Sequence, residues 1–193
     1  LELHPEHVSA YALTVEEWTS FARSGVKTDD LLQVEMYGHV AKELESFGYR
    51  HYEISNFARP GFECRHNLRY WKNLPCLGAG VSAAGYEDGT RRKNTDKVID
   101  YILAMDQGRS PLVEEIALSE PERVGEDLML ALRLKEGTEV SPRARRLYGK
   151  VLDRFQGLGF FTAYPGENKI RPTLKGWLLS NQIFQELLSP ADA

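Results

Sequence analysis

The twenty residues from Tyr52 to Trp71, YEISNFARPGFECRHNLRYW, concentrate more reactive side chains than any core strand needs. They hold Glu53, Ser55, Asn56, Arg59, Glu63, Cys64, Arg65, His66, Asn67, Arg69, Tyr70 and Trp71. Guanidinium forks bind carboxylates bidentately. Imidazole and thiolate are the usual axial ligands of haem iron. Tyrosine and tryptophan offer flat faces for stacking. The mixture suits a surface for a flat molecule that carries carboxylates. Blander readings stand beside it: His66 as a hydrogen-bonded structural residue, Arg65 and Asn67 as loop caps, Tyr70-Trp71 as packing. Cys64-x-His66 with Cys76 is a poor zinc set, because structural zinc takes four ligands in two close pairs.

A second stretch, Leu77–Tyr86 (LGAGVSAAGY), is rich in small residues, which allow close approach to the backbone. It has neither a Gly-Lys-Ser/Thr ending nor a G-x-G-x-x-G fingerprint. Further on, Arg143, Arg145, Arg146, Lys150 and Arg154 form a basic stripe. Such a stripe either touches phosphates or is a solvated helix face.

The elements that must position these residues fall into two groups. In the first, His7–Val15 reads as a buried strand. Thr28 or Asp30 caps a helix over Leu31–Phe47, with Leu32, Met36, Val40, Leu44 and Phe47 on one face and Gly48 as the C′ glycine. Arg50–Phe57 reads as a strand, Arg59-Pro60-Gly61 as a turn, and Asp96–Gln107 as a helix. Strand–helix–strand order predicts a parallel sheet with crossover helices. In the second group, Ser119 and Glu122 make a capping-box pattern with Pro121 in the first turn, and that helix ends at Gly137. Ser141-Pro142 opens another helix to about Gly157. A hairpin turns at Pro165-Gly166-Glu167-Asn168, and Leu174–Leu188 forms a last helix. This order resembles a small winged-helix-like module.

Composition sets the outer limits. Of 193 residues, 42% are hydrophobic and 27% charged, which excludes a disordered tail or a coiled coil. Net charge is −4, with no overall basic field for nucleic acid. No apolar run is long enough to span a membrane. Residues 1–118 hold 13 basic and 18 acidic side chains, and residues 119–193 hold 11 and 10. With the motif shift near Pro111–Glu120, this places a boundary between 1–112 and 113–193. Two cysteines, Cys64 and Cys76, fit a reducing compartment. Leu1 rather than Met at the start suggests a piece of a longer protein.

Glu53-Ile54-Ser55-Asn56-Phe57-Ala58-Arg59-Pro60-Gly61, then Glu63-Cys64-Arg65-His66-Asn67 and Tyr70-Trp71, resembles the signature of the HemW family. These are radical SAM proteins regarded as haem chaperones and related to oxygen-independent coproporphyrinogen III oxidase, HemN. The resemblance continues through Tyr11–Glu16, Leu77-Gly78-Ala79-Gly80, Gly89–Asn94 and Leu174-Lys175-Gly176.

It implies an α/β fold: the C-terminal units of an open, partial β/α barrel followed by a winged-helix-like module. It implies haem binding by His66, Asn67, Tyr70 and Trp71, with His66 as axial ligand. It places Ala12, Gly78, Gly80 and Ala84 near S-adenosylmethionine. It implies a [4Fe–4S] cluster on a Cys-x3-Cys-x2-Cys motif, which this sequence lacks, so the chain alone is expected to be inactive and no catalytic residue is assigned.

Implied partners are haem or a porphyrinogen, and respiratory haemoproteins as acceptors. A cytoplasmic location, membrane contact only through a partner, and a homodimer are consistent with it; nucleic acid is not. The alternatives are radical decarboxylation of coproporphyrinogen III, as in HemN, and a non-enzymatic binding module. Two departures stand out: Glu17-Trp18-Thr19-Ser20-Phe21 replaces the family's Pro-Gly-Thr-Pro-Phe, and Ala84-Gly85 replaces a His-Ser pair.

Overall fold

The longest helix of the N-terminal part starts where an aspartate can satisfy its first amides. In the computed structural model, which describes residues 3–163 and 166–188, the Asp29 side chain accepts from Leu32 N at 3.1 Å. The cap is Asp29, not Thr28 or Asp30, and the helix α2 (Asp30–Ser46) follows it. Asp29→Ala is expected to cost about 1 kcal/mol, measured as a shift in the urea midpoint. The chain leaves α2 through Phe47 and Gly48, whose φ of +84° is the left-handed conformation glycine favours.

Contacts divide the chain into two compact units, Leu1–Cys64 and Arg65–Ala193. The boundary expected at 112/113 falls inside the second unit, within a strand.

In the first unit, β1 (His7–Ser9) is followed by a single turn of helix α1 (Ser20–Arg23), then α2, β2 (Arg50–Glu53) and β3 (Asn56–Ala58). The strand expected over His7–Val15 stops at Ser9. The strand expected over Arg50–Phe57 is two strands, folded back on themselves at Ile54-Ser55. Local bonds hold that turn: Ser55 N donates to Glu53 Oε1 at 3.1 Å, and the Tyr37 hydroxyl donates to Ile54 O at 2.6 Å. Because of this reversal β3 lies between β1 and β2, antiparallel to both. The expectation of a parallel sheet is therefore corrected, and every strand pair among the described residues is antiparallel. The core is small: Leu44, Tyr49 and Phe57, with Val8, Ala10, Val40 and Ala41 against it. Leu32, Met36 and Phe47, on the same face of α2, stay exposed.

The second unit opens with α3 (Arg65–Trp71), a helix not foreseen in the sequence. An antiparallel sheet follows, β4 (Ala84–Glu87), β5 (Thr90–Asn94) and β6 (Leu112–Ala117), with α4 (Val98–Asp106) between β5 and β6. Asp88 and Gly89 join β4 to β5 with φ of +50° and +75°, the left-handed pair of a tight hairpin.

Then come α5 (Glu120–Ala131), β7 (Thr138–Glu139), α6 (Pro142–Gly157), β8 (Phe161–Ala163), β9 (Lys169–Pro172), α7 (Leu174–Leu178) and α8 (Ser180–Leu188). The capping box of Ser119 and Glu122 is present, and Ser141 caps α6 at 3.1 Å. The expected hairpin forms as β8 and β9; Tyr164 and Pro165 lie outside the described residues. The last helix is broken at Leu179 into two. These elements share one core, which includes Leu128, Leu152, Phe155, Phe160, Ile183 and Leu187. Tyr148 crosses it with its hydroxyl 2.9 Å from Pro121 O and 3.1 Å from Leu187 O. Burial raises its pKa, so it stays a donor.

Candidate functional site

Of the residues expected to bind haem, α3 brings two onto one open face. His66 and Tyr70 lie one turn apart, their rings edge to face with centroids 4.8 Å apart at 87°. Both are exposed. Among the described residues His66 makes this ring contact and no hydrogen bond, so its nitrogens are open to a ligand. Asn67 and Trp71 occupy the next row round the helix and are half-buried. The Arg133 guanidinium lies 5.0 Å from the Trp71 ring centre and 5.1 Å from that of Phe184. Trp71 thus serves α3 as an anchor, while its indole N–H is buried with no hydrogen-bond partner among the described residues.

Behind α3 the chain turns back at Asn73, whose φ of +47° is one asparagine tolerates. Arg91 on β5 holds this corner. Its Nε donates to Glu126 Oε1 at 2.9 Å, Nη2 lies 2.7 Å from Glu126 Oε2, and Nη2 donates to Asn73 Oδ1 at 3.0 Å. The guanidinium also covers the Tyr86 ring at 4.3 Å. Asn73 Nδ2 donates to Asp127 Oδ1 at 2.8 Å. The network ties the end of α3 to β5 and α5. Tyr86 has a raised pKa, first from burial, then from Asp127 and Glu126, with Arg91 and Arg123 opposing.

Gly78, Gly80 and Ala84 come together in one loop. A Cβ on Gly78 would lie 2.7 Å from the Ala84 carbonyl, and Gly80 has φ of +112°. Asn94, 5% exposed, donates to Gly78 O at 3.2 Å and Gly80 O at 2.9 Å, while Gly80 N donates to the Tyr101 hydroxyl at 3.2 Å. The loop borders a cavity of about 370 Å³ that also reaches Tyr86, Arg92 and Met105. Ala12 belongs to the other unit. There it borders a second cavity, of about 350 Å³, with Tyr11, Leu13, Met36 and Tyr37.

Cys64 and Cys76 are both free. Among the described residues no group of three or more His, Cys, Asp or Glu side chains could hold a metal ion. No helix among them is long and apolar enough to cross a membrane. The basic stripe on α6 is largely paired: Arg143 and Arg146 with Glu120, Arg145 with Asp153, and Arg154 with Glu186. The hydrogen bond from Arg143 holds the Glu120 carboxyl below its usual range.

No family model matches the chain. Curated relatives do. The haem chaperone HemW of Lactococcus lactis is 33% identical over 201 residues, which cover 97% of this chain and 52% of that protein. HemW of Bacillus subtilis is 33% identical over 204 residues, again 97% and 52%. The chain is HemW-like. It spans about half the length of the curated relatives it matches. Its fold is that of the radical SAM coproporphyrinogen III oxidase HemN of Escherichia coli, with a TM-score of 0.74 at 20% identity over 97% of this chain and 49% of that one.

Two polar groupings of this HemW-like chain were not foreseen. One is the Arg91–Asn73–Glu126 network. The all-polar run Thr90–Asn94 gives no strand signal in the sequence, and the partner of Arg91 lies 35 residues on. The other lies in the first unit, where Tyr37 meets buried His51 at 3.2 Å and His51 stacks on Phe57 at 4.1 Å. Tyr37's pKa is pushed well up, mainly by burial and further by Glu53. It therefore stays a neutral donor that braces the Ile54-Ser55 turn.

Proposed function

We propose that this chain contributes the haem-binding part of a HemW-like protein that carries haem and passes it to haemoproteins. The observation that supports the reading is the exposed His66–Tyr70 pair, an imidazole with both nitrogens open and an exposed phenol ring in edge-to-face contact with it. Asn67 and Trp71 belong to the same proposed haem site, and Trp71 also packs against the Arg133 guanidinium. In this reading the Gly78–Ala84 loop leaves room for S-adenosylmethionine through its small residues, and the family resemblance assigns Ala12, in its own unit, to the same cofactor. The [4Fe–4S] cluster takes its ligands from sequence beyond this chain, whose two cysteines cannot supply three. Residues 1–112 are read as barrel units and 113–193 as a C-terminal module, although the compact units divide at Cys64/Arg65. Respiratory haemoproteins are the acceptors, and the cytoplasm the compartment.

The test is haem titration of the complete protein and of its His66→Ala and Tyr70→Ala variants. The expected result is affinity weakened about tenfold or more for His66→Ala, with a shifted Soret band, and less for Tyr70→Ala. Unchanged affinity and an unchanged Soret band in both variants overturns the site.

The shared fold with HemN favours one further reading, radical decarboxylation of coproporphyrinogen III. An anaerobic assay of the complete protein with reductant and S-adenosylmethionine decides it. Absence of protoporphyrinogen with an intact cluster rejects that activity.

A further inference from the structure

α3 carries cations in a row beside its ring pair. Arg65 and Arg69 are one turn apart, as His66 and Tyr70 are, and the two rows lie about 100° apart round the helix axis. Lys72 continues the basic row directly after the helix. All three are exposed, and no Asp or Glu occurs from Arg65 to Lys72.

The two arginines differ in how they are held. Arg69 Nη2 donates to Pro75 O at 2.5 Å, which fixes that guanidinium against the corner after α3. Arg65 makes no hydrogen bond or ion pair among the described residues. This contrasts with α6, where the arginines are paired with carboxylates of their own module. A free fork next to a fixed one, beside an open imidazole, is a receptor for a flat ligand bearing two carboxylates. The imidazole meets the centre of the ligand, and the forks meet carboxylates at its rim.

We propose that Arg65, with Arg69 beside it, binds the propionate carboxylates of the porphyrin, so that this face selects iron porphyrins with free propionates over their esters. The proposal rests on the haem reading above and adds a specificity to it. Arg65 supplies a bidentate, charge-assisted pair, and Arg69 supplies the N–H groups that Pro75 does not take. Lysine at position 65 keeps the charge but loses the fork.

The experiment titrates the complete protein, and its Arg65→Ala, Arg65→Lys and Arg69→Ala variants, with iron protoporphyrin IX and with its dimethyl ester. Far-UV circular dichroism and melting curves check that each variant is folded. The unaltered protein is expected to bind the free acid about tenfold tighter than the ester. Arg65→Ala is expected to weaken the free acid by a similar factor while leaving the ester unchanged, and Arg65→Lys to recover part of the loss. Equal affinity of the unaltered protein for acid and ester overturns the propionate assignment and leaves haem binding standing. A preference for the acid that persists in Arg65→Ala and Arg69→Ala overturns the role of these two residues. Failure of the unaltered protein to bind either porphyrin overturns the haem reading, and the proposal with it.

Discussion

Gly176→Ala is expected to cost about 3 kcal/mol or more, through a clash that no side-chain movement relieves. Gly176 is fully enclosed in α7, and a Cβ there would lie 2.1 Å from Phe160 O and 3.0 Å from Phe160 C. Those are backbone atoms, and they are already engaged: Thr173 N donates to Phe160 O at 2.9 Å. The same threonine caps α7 through Gly176 N at 3.0 Å. Moving Phe160 away would pull apart the cap, the end of β9 and a core ring. Next to the glycine, Trp177 is anchored by its Nε1 donating to Leu132 O at 3.0 Å.

The measurement is a thermal melt of the complete protein, with an expected fall of roughly 6–12 °C. Gly38→Ala is the contrast. It lies inside α2 with nothing within 4 Å of the new Cβ, so the same change is expected to stabilise by about 0.5–1 kcal/mol. If both variants melt within about 2 °C of the unaltered protein, the packing argument is wrong.

The second large effect belongs to the corner behind α3. Arg91→Ala is expected to destabilise by about 2–3 kcal/mol. The Glu126 side chain is only 13% exposed and would lose both bonds of its fork, and Asn73 Oδ1 would lose its donor. Arg91→Lys keeps a charge near Glu126 but not the fork, nor the planar cover over Tyr86, and is expected to lose about half as much. Glu126→Ala should also be costly. The double variant should cost less than the two singles added, with a coupling of about 1–2 kcal/mol from denaturant unfolding. Additivity within about 0.3 kcal/mol would show that the fork contributes nothing to the folded state. Because the network holds the corner after α3 and not its open face, Arg91→Lys should leave haem affinity nearly unchanged where His66→Ala does not.

Several of these features could be read directly from the residues. Ser119 with Glu122, Ser141 before Pro142, Gly48 after α2 and the Arg59-Pro60-Gly61 turn all behave as their spacing predicts. Each is a bond or a dihedral confined to three or four neighbours, so chain geometry alone determines it. The Asp88-Gly89 turn is just as local but is not among the turns read from the sequence, because Arg91, Arg92 and Lys93 give β5 no apolar alternation to flank it. The residues of the candidate site were legible as types. Which of them face outward was not.

The sequence by itself determined the family likeness, the N-caps of α5 and α6, the order of the C-terminal elements and the lack of three cysteines for a cluster. The tertiary structure alone decided that Ile54-Ser55 reverses the chain, so that β3 separates β1 from β2. It alone decided that Trp71 faces Arg133 while His66 and Tyr70 stay open, and that Arg91 meets Glu126. The last two outcomes depend on pairing between residues 18 to 62 positions apart. Many partners satisfy such pairing equally well in sequence, and only close packing of the folded chain selects one.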